Sequence, residues 1–225
     1  SFMDEGAFVN NRPWEEIFRT SDIMEETVVA TNPIESNNTI NQKKYVDLKL
    51  GAIIELGRYE QDGDKSNGAE PIEWIVLAEE DNEALIVSVL GLDTLPYEDS
   101  RASVDWENCS ARVWLEDTFY ENAFTDEEKR SIAEKEIVQH KNKGYPYSNQ
   151  GNNTIDHVFL LSAEEYIGYL YDNVAIDAQY REGIPSAYVL QKGIDKYEYY
   201  KGDRCWWWLR TSSAYNEKAC FVAAM

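Results

Sequence analysis

The stretch QDGDKSNGAEPIEW, residues 61–74, has residue types and a spacing that suit a calcium-binding loop. Asp62 and Asp64 stand one residue apart, and Glu73 follows eleven positions after the first aspartate, as in the loop of an EF-hand. Asn67 occupies the position where that loop needs glycine, and the flanking segments predict strands rather than the required helices. We therefore expect a solvated hairpin connection, with Asp62 and Asp64 as a candidate for a looser calcium site and with no other cofactor.

The tryptophan run at Trp206, Trp207 and Trp208 is the second feature with chemical potential. In a strand, Trp206, Trp208 and Arg210 lie on one face, while Trp207 and Leu209 lie on the other. Two indole rings and a guanidinium on one face suit the binding of a sugar ring. The alternative is a strand packed on both faces, in which Arg210 pairs with a buried carboxylate.

A third set surrounds the start of a predicted helix. Trp106, Glu107 and Arg112 are close enough in sequence to line one pocket. The alternative places Trp106 and Trp114 in the core and Arg112 in an ion pair on the helix surface.

Catalytic constellations are not indicated by the sequence. His140 and His157 are the only histidines, and Asp156 cannot orient the His157 ring because neighbours in a strand face opposite ways. Neither G-x-S-x-G nor H-E-x-x-H occurs. We therefore predict no catalytic residue, although the many carboxylates leave a glycosidase pair open.

Three cysteines, Cys109, Cys205 and Cys220, show no C-x-x-C spacing. Cys205 and Cys220 suit a disulfide if the compartment is oxidising, and a copper or thiol oxidase would need both in one cleft. The alternative is that the thiols are free, buried and act as small hydrophobic groups.

Composition restricts the partners. The 225 residues include 43% hydrophobic and 13% aromatic residues, enough for a substantial core, and the formal net charge is −21. Phosphate backbones and anionic lipids repel such a polyanion, so we expect neither nucleic acid nor membrane insertion. Cations, glycans and proteins remain as ligands, and no apolar run approaches the roughly 20 residues of a membrane helix.

Three strands are predicted around the opening loop: Ala52–Glu60, Ile72–Glu80 and Glu83–Leu90. Asp81 and Asn82 form a turn-prone pair between the second and third. These segments predict an antiparallel meander.

Helices are predicted next. A helix with a buried stripe follows Cys109, with Asn108 or Ser110 as its N-cap. Thr125 opens a T-x-x-E capping box, and its helix is expected to run through Ile132.

The remaining chain predicts a strand at Val158–Leu161 and a second capping box at Ser162. The segment PSAYVLQ predicts a short helix that ends before Gly193. Strands are then predicted at Cys205–Arg210 and at ACFVAAM, residues 219–225. The mixed order of elements predicts an α+β fold.

The chain divides into two parts. Residues 1–44 predict a helix at about Pro13–Thr20 followed by an extended arm, and residues 45–225 predict the α+β domain.

Four stretches, PIEWIVL, WENCSARVWLEDTFYENAFTDEEKRSI, VFLLSAEE and WWLRTSS, resemble in this order a family of domains of unknown function. The family is common in Gram-positive gut anaerobes, where it occurs in surface and secreted proteins, and the resemblance covers about Leu50 to Met225. It implies a C-type-lectin-like fold, with a twisted antiparallel sheet and flanking helices. Family members continue into a closing strand, which this chain is expected to lack, so that the N-terminal arm or a partner would cover the sheet edge.

The resemblance and the composition together predict a non-catalytic binding module for a glycan or a protein at the bacterial cell surface. The predicted ligand-binding residues are Trp206, Trp208, Arg210, Trp106 and Arg112. An enzyme with an unrecognised carboxylate or cysteine site is the alternative, and an assembly module that pairs through a sheet edge is another. An extracellular or surface location is expected, a cytoplasmic one stays open, and the oligomeric state is not indicated.

Overall fold

The computed structural model describes residues 48–100, 104–193, 204–213 and 219–222. They belong to one compact unit with α+β architecture, built from one three-stranded and two two-stranded antiparallel sheets with short helices. The α+β prediction is therefore confirmed. The predicted N-terminal helix, the arm and the last three residues lie outside the described ranges.

The predicted meander is present. Strands β1 (Ile53–Tyr59), β2 (Glu70–Glu80) and β3 (Glu83–Ser88) pair antiparallel in the order β1-β2-β3. Asp81 and Asn82 join β2 to β3 with φ values of 51° and 66°. Two successive positive φ values are typical of a type I′ turn, whose twist matches that of the flanking strands. Asp81 and Asn82 therefore form the tight turn of this hairpin.

The first long helical segment has three parts. Helix α1 (Ser110–Trp114) continues as a π-helical stretch (Leu115–Tyr120) and then as α2 (Glu121–Ala123).

Its N-cap is Cys109, whose sulfur accepts a hydrogen bond from the Arg112 N–H, so the prediction of Asn108 or Ser110 is wrong. The Asn108 amide instead donates to Asp105, and the Ser110 hydroxyl bonds to Glu98.

Both predicted capping boxes are confirmed. Thr125 and Glu128 open α3 (Asp126–Lys129), which ends before the predicted Ile132. Ser162 opens α4 (Ala163–Glu165), which continues as a π-helical stretch (Tyr166–Tyr171).

The last helix, α5 (Ala187–Gln191), is capped by Ser186 and is followed by Gly193 with φ of 87°. The positive φ of Gly193 explains why the helix ends here, because a residue with a side chain rarely adopts such a φ.

The predicted strand at Val158–Leu161 is wrong. The strand lies earlier, at β5 (Thr154–Asp156), which pairs with β4 (Lys135–Ile137). Glu116 accepts hydrogen bonds from the backbone N–H groups of His157 and Val158, so these donors are not available for strand pairing.

The tryptophan run contributes to a strand, as predicted. Strand β6 (Trp207–Ser212) pairs antiparallel with β7 (Ala219–Val222).

The meander is buried on both faces. One face packs towards α2 through residues that alternate along its strands: Ile54, Leu56, Ile72, Trp74 and Ile86. The other face packs towards α4 and β6 through Ile75, Leu77, Leu85 and Val87, which share a core with Leu209 of β6. The near-continuous apolar run from Ile72 to Leu77 is the sequence signature of a strand covered on both sides.

Among the helices of the described ranges, none combines the length and the apolar character needed to cross a bilayer.

Candidate functional site

The tryptophan strand alternates its side chains as the sequence predicted. Trp207 and Leu209 belong to the core between the meander and α4. Trp208 lies on the other side, where it packs with Tyr97 at 5.9 Å between ring centroids and donates from Nε1 to the Leu95 carbonyl at 3.1 Å. Trp206 packs edge-on against Trp208 with centroids 4.7 Å apart. All three indole rings are partly buried.

Arg210 is only 2% exposed. Its guanidinium pairs with both carboxylate oxygens of Glu165, and it donates to the Leu160 carbonyl at 2.8 Å. The Phe159 ring lies beneath it at 5.7 Å. The structure therefore contains the alternative arrangement, in which this arginine pairs with a carboxylate and ties β6 to the start of α4.

Trp106 and Arg112 meet at one buried carboxylate. Asp156 is 0% exposed and accepts hydrogen bonds from Trp106 Nε1 at 2.9 Å, Thr154 Oγ1 at 2.7 Å and Arg112 Nε at 2.7 Å. Trp106 is itself fully buried. This network connects β5 to α1. Arg112 also donates from Nη1 to the Glu107 carbonyl at 3.1 Å, whereas the Glu107 carboxylate accepts from the Asn152 amide.

His157 is oriented by a carboxylate from the helix rather than by its sequence neighbour Asp156. Its Nδ1 lies 3.0 Å from Glu116 Oε2, and its ring stacks on Tyr120 with centroids 4.2 Å apart. The expectation that Asp156 does not orient this ring is confirmed.

All three cysteines are free and buried. Cys205 packs with Val189, whereas Cys220 belongs to the core beside β6, so the proposed disulfide is absent and the free-thiol alternative is confirmed. Burial raises the pKa of the Cys205 and Cys220 thiols to about 11. Protonated buried thiols are poor nucleophiles and poor metal ligands.

The loop between β1 and β2 brings Asp62 together with two carboxylates that the calcium template did not select. Carboxylate oxygens of Glu60, Asp62 and Glu70 lie within 4.8 Å of one another, while Asp64 is not part of this group. Asp64 instead accepts from the Ser66 hydroxyl at 2.6 Å.

Backbone donors already occupy the clustered oxygens. Glu60 accepts from the Gly63 N–H at 2.7 Å, and Glu70 accepts from the Gln61 N–H at 2.7 Å. The Asp64 N–H donates to Asp62 at 2.7 Å and, together with the Asn67 amide, lowers the Asp62 pKa. The hydrogen bonds thus account for the turn without an ion.

A groove of about 450 Å³ lies beside this loop. Its walls carry four carboxylates, those of Glu55, Asp62, Glu70 and Glu73. The rest of its lining is formed by Gln61, Pro71, Val89, Leu90 and Ala187. Neither a basic residue nor an aromatic ring occurs among these nine lining residues.

The register of the meander creates the acidic wall of the groove. Glu55 of β1 pairs directly with Glu73 of β2, two residues along from the pair Ile53 and Ile75 and on the same face of the sheet. Both glutamates are exposed, whereas Ile75 is buried in the core. The groove therefore begins where the layer that covers this face of the sheet ends.

Sequence reasoning identified Asp62 but missed Glu55, Glu70 and Glu73 as neighbours in a groove. Glu73 was assigned only to the last position of a calcium loop. The available signal is that Glu55 and Glu73 each interrupt an apolar stretch, Ile53–Leu56 and Ile72–Leu77, and so mark positions that the hydrophobic layer does not cover.

Comparisons with known proteins identify only a family. Neither a curated protein nor a solved structure matches the chain significantly. A model of the family described as "Domain of unknown function (DUF6273)" matches residues 81–225, which is more than half of the chain. The matched range begins after PIEWIVL and includes the three other stretches that carry the resemblance. The protein therefore belongs to the DUF6273 family of domains of unknown function.

Proposed function

We propose that this protein is a non-catalytic binding module that recognises a glycan or a protein at the bacterial cell surface. The groove between the β1–β2 loop and α5 is the observation that carries the proposal. A volume of about 450 Å³ is within the range of ligand sites, and the lining combines apolar residues with a few polar groups. A C-type-lectin-like arrangement of the α+β elements is part of the same proposal.

Binding is favoured over catalysis by the chemistry of the lining. The nine described lining residues include no cysteine, serine or histidine that could act as a nucleophile or as an imidazole base. Elsewhere in the described residues, His157 is held by Glu116, the thiols are buried, and His140 is exposed and is not among the nine described lining residues. The carboxylates and the Gln61 amide supply hydrogen-bonding groups, and the apolar lining residues supply contact area. Recognition of a ligand requires both.

The tryptophan strand is the other candidate surface. Its indoles retain some exposure, but Trp208 and Arg210 are held by Leu95 and Glu165. Their availability to a ligand is therefore more restricted than that of the groove.

The test is to screen the protein against a glycan array and a panel of purified surface and mucin proteins, each with and without calcium. The variant Ala187→Trp fills the groove from the exposed first residue of α5 without changing charge. Ala178→Trp is the matched control, at the exposed first residue of another short helix outside the lining.

We expect a ligand that Ala187→Trp loses and Ala178→Trp retains. Loss in Trp208→Ala alone, with folding verified by circular dichroism, would move the site to the tryptophan strand. An absence of ligands from both screens would contradict the binding function.

A further inference from the structure

We propose that Asn67 is a modification site, at which the asparagine deamidates through a succinimide to isoaspartate and aspartate. Water and hydroxide are the only co-reactants. The reaction does not depend on the binding function proposed above, because it takes place within the β1–β2 loop itself. The evidence is the contrast between two glycines of that loop, Gly68 and Gly63.

Asn67 and Gly68 form the single asparagine–glycine pair of the chain. Deamidation begins when the backbone nitrogen of the next residue attacks the side-chain carbonyl carbon of asparagine. A following glycine leaves the path of attack open, because it has no side chain and rotates freely. Asparagine belongs to the thermolabile residue types for this kind of reason. The sequence alone therefore makes this pair the most reactive one in the chain.

The structure leaves the attacking nitrogen of Gly68 available. Gly68 is exposed, and its N–H makes no hydrogen bond within the part of the chain that the structure describes. A Cβ atom added at Gly68 would meet no other heavy atom within 4 Å. The peptide unit can therefore turn towards the Asn67 side chain without losing a contact. Asn67 is exposed as well, so water reaches the carbonyl carbons that must be hydrolysed.

Asp62 and Gly63 provide the contrast within the same loop. An aspartate–glycine pair forms the same succinimide by the same attack, with water rather than ammonia as the leaving group. The Gly63 N–H, however, donates to Glu60 Oε1 at 2.7 Å, and the Gln191 side chain occupies the place where a Cβ atom of Gly63 would stand. The fold therefore restrains the nitrogen of Gly63 and leaves that of Gly68 free.

The reaction exchanges the Asn67 amide for a carboxylate and releases ammonia. The Gly68 nitrogen gives its proton to hydroxide and bonds to Asn67 Cγ. The bond from Cγ to Nδ2 then breaks, and Nδ2 takes a proton from water and leaves as ammonia. Water opens the succinimide in one of two ways. Cleavage between the Gly68 nitrogen and Cγ gives aspartate, whereas cleavage between that nitrogen and the main-chain carbonyl carbon of residue 67 gives isoaspartate.

The product changes the contacts of the loop. The Asn67 amide donates from Nδ2 to Asp62 Oδ2 at 2.7 Å. A carboxylate in its place cannot donate and repels Asp62 instead. Because Asp62 lines the groove, the modification alters the acidic wall of the groove as the protein ages.

The experiment incubates the purified protein at mildly alkaline pH, both folded and unfolded in guanidinium chloride. Peptide mapping by mass spectrometry follows each asparagine, and fragmentation by electron transfer distinguishes isoaspartate from aspartate. Asn67→Gln removes the site, because glutamine would have to close a larger ring. Gly68→Ala adds a methyl group to the attacking residue in open space. Asn152→Gln is the matched control, since Asn152 is exposed, donates to the Glu107 carboxylate at 2.9 Å and precedes a residue with a side chain.

We expect Asn67 of the folded protein to deamidate at least about tenfold faster than Asn152, and within about threefold of its own rate in guanidinium chloride. Gly68→Ala should slow the reaction about tenfold, whereas Asn152→Gln should leave the rate at Asn67 unchanged. Isomerisation of Asp62, followed in the same samples, should be at least about tenfold slower in the folded than in the unfolded protein.

A larger slowing of Asn67 deamidation by folding would overturn the proposal, because it would show that the fold protects this residue. Equal rates at Asn67 and Asn152 in the folded protein would overturn it too. Equal protection of Asp62 and Asn67 by folding would show that the Gly68 nitrogen is no more available than that of Gly63, and would remove the structural basis of the proposal. None of these results bears on whether the groove binds a ligand.

Discussion

Carboxylates that pair with arginine and carboxylates in the groove differ in what surrounds them. Asp156 and Glu165 each pair with an arginine, and both pairs connect elements distant in sequence. Glu73 stands opposite Glu55 on the sheet and has no such partner in the described residues. The difference indicates that the arginines at Asp156 and Glu165 stabilise the fold, whereas the exposed acidic pair contributes a surface property.

This comparison separates residues that support the structure from residues available to a ligand. Replacing Asp156, Glu165 or the arginine that pairs with either should lower the free energy of unfolding. Replacing Glu73 should leave that free energy nearly unchanged and alter binding.

The largest effect is expected for Arg210→Met, which removes the partner of Glu165 and leaves its charge partly buried. Breaking a buried ion pair from one side typically costs about 3–5 kcal/mol. Urea denaturation measures the loss, with Arg58→Met as the control because Arg58 is exposed and makes one long hydrogen bond of 3.4 Å to the Ala69 carbonyl. A loss below about 1 kcal/mol for Arg210→Met would show that the pair does not hold β6 to α4.

Asp156→Asn should have the next largest effect and should lower the free energy of unfolding by about 2–3 kcal/mol. The substitution keeps the shape of the side chain, but it removes the charge that faces Arg112 and turns one acceptor into a donor inside a network of three donors. Asp117→Asn, at an exposed position of the neighbouring helical segment, is the matched control. Equal midpoints for the two variants would show that the network at Asp156 is not a stabilising one.

The third prediction concerns Glu98, whose carboxylate accepts hydrogen bonds from N–H and O–H donors rather than from an arginine. Hydrogen bonds from the Ser100 hydroxyl and N–H, followed by those from Ser110, lower the Glu98 pKa from 4.5 to about 2. Because the folded pKa is depressed, this stabilisation is present above about pH 4.5 and is lost as the pH falls towards 2.

The protein should therefore lose more stability than Glu98→Gln between pH 4.5 and 2. The difference should be below about 1 kcal/mol because the exposed group is screened by solvent. The free energy of unfolding of both proteins can be measured by denaturation at each pH. Parallel curves of this free energy against pH would contradict the prediction.

The smallest effect on stability is expected for Glu73→Gln. Removing one of two like charges across the sheet should raise the free energy of unfolding by about 0.2–0.5 kcal/mol. Glu79→Gln serves as the control, since Glu79 lies opposite Ala84 in β3 rather than opposite a charge. A clear loss of stability in Glu73→Gln would show that Glu73 stabilises the fold, as Asp156 and Glu165 do. It would then contradict the distinction between the carboxylates paired with arginine and those in the groove.

Local signals in the sequence predicted local structure well. The capping boxes at Thr125 and Ser162, the turn at Asp81 and Asn82, and the helix stop at Gly193 depend on contacts within a few residues. Each is a feature in which the chemistry of one side chain decides the backbone conformation.

Structure that depends on contacts between distant segments was not predicted from the local sequence pattern. Val158–Leu161 has the composition of a strand, yet Glu116, about forty positions earlier, takes the N–H groups of His157 and Val158. The N-cap at Cys109 has a more local cause, since Asn108 bonds to Asp105, three residues earlier, and Ser110 bonds to Glu98, twelve residues earlier.

The candidate groove depends on register, which the sequence does not display. Glu55 and Glu73 meet because of the pairing of β1 with β2, which shifts between Glu55 and Arg58. A change of register by one residue would turn one glutamate to the opposite face. The pairing of Arg210 with a carboxylate was anticipated as an alternative, but its partner Glu165 lies too far along the chain to be named from the sequence.

The burial of β2 on both faces has a consequence for how the domain opens. Its side chains alternate between the two cores, so neither core can be exposed to water without removing contacts from the strand that serves the other. The amide hydrogens of Ile75 and Val76 should therefore exchange with solvent only through the highest-energy opening of the domain. The two hydrophobic clusters are expected to behave as one cooperative unit, with β2 as the last element to become accessible to deuterium.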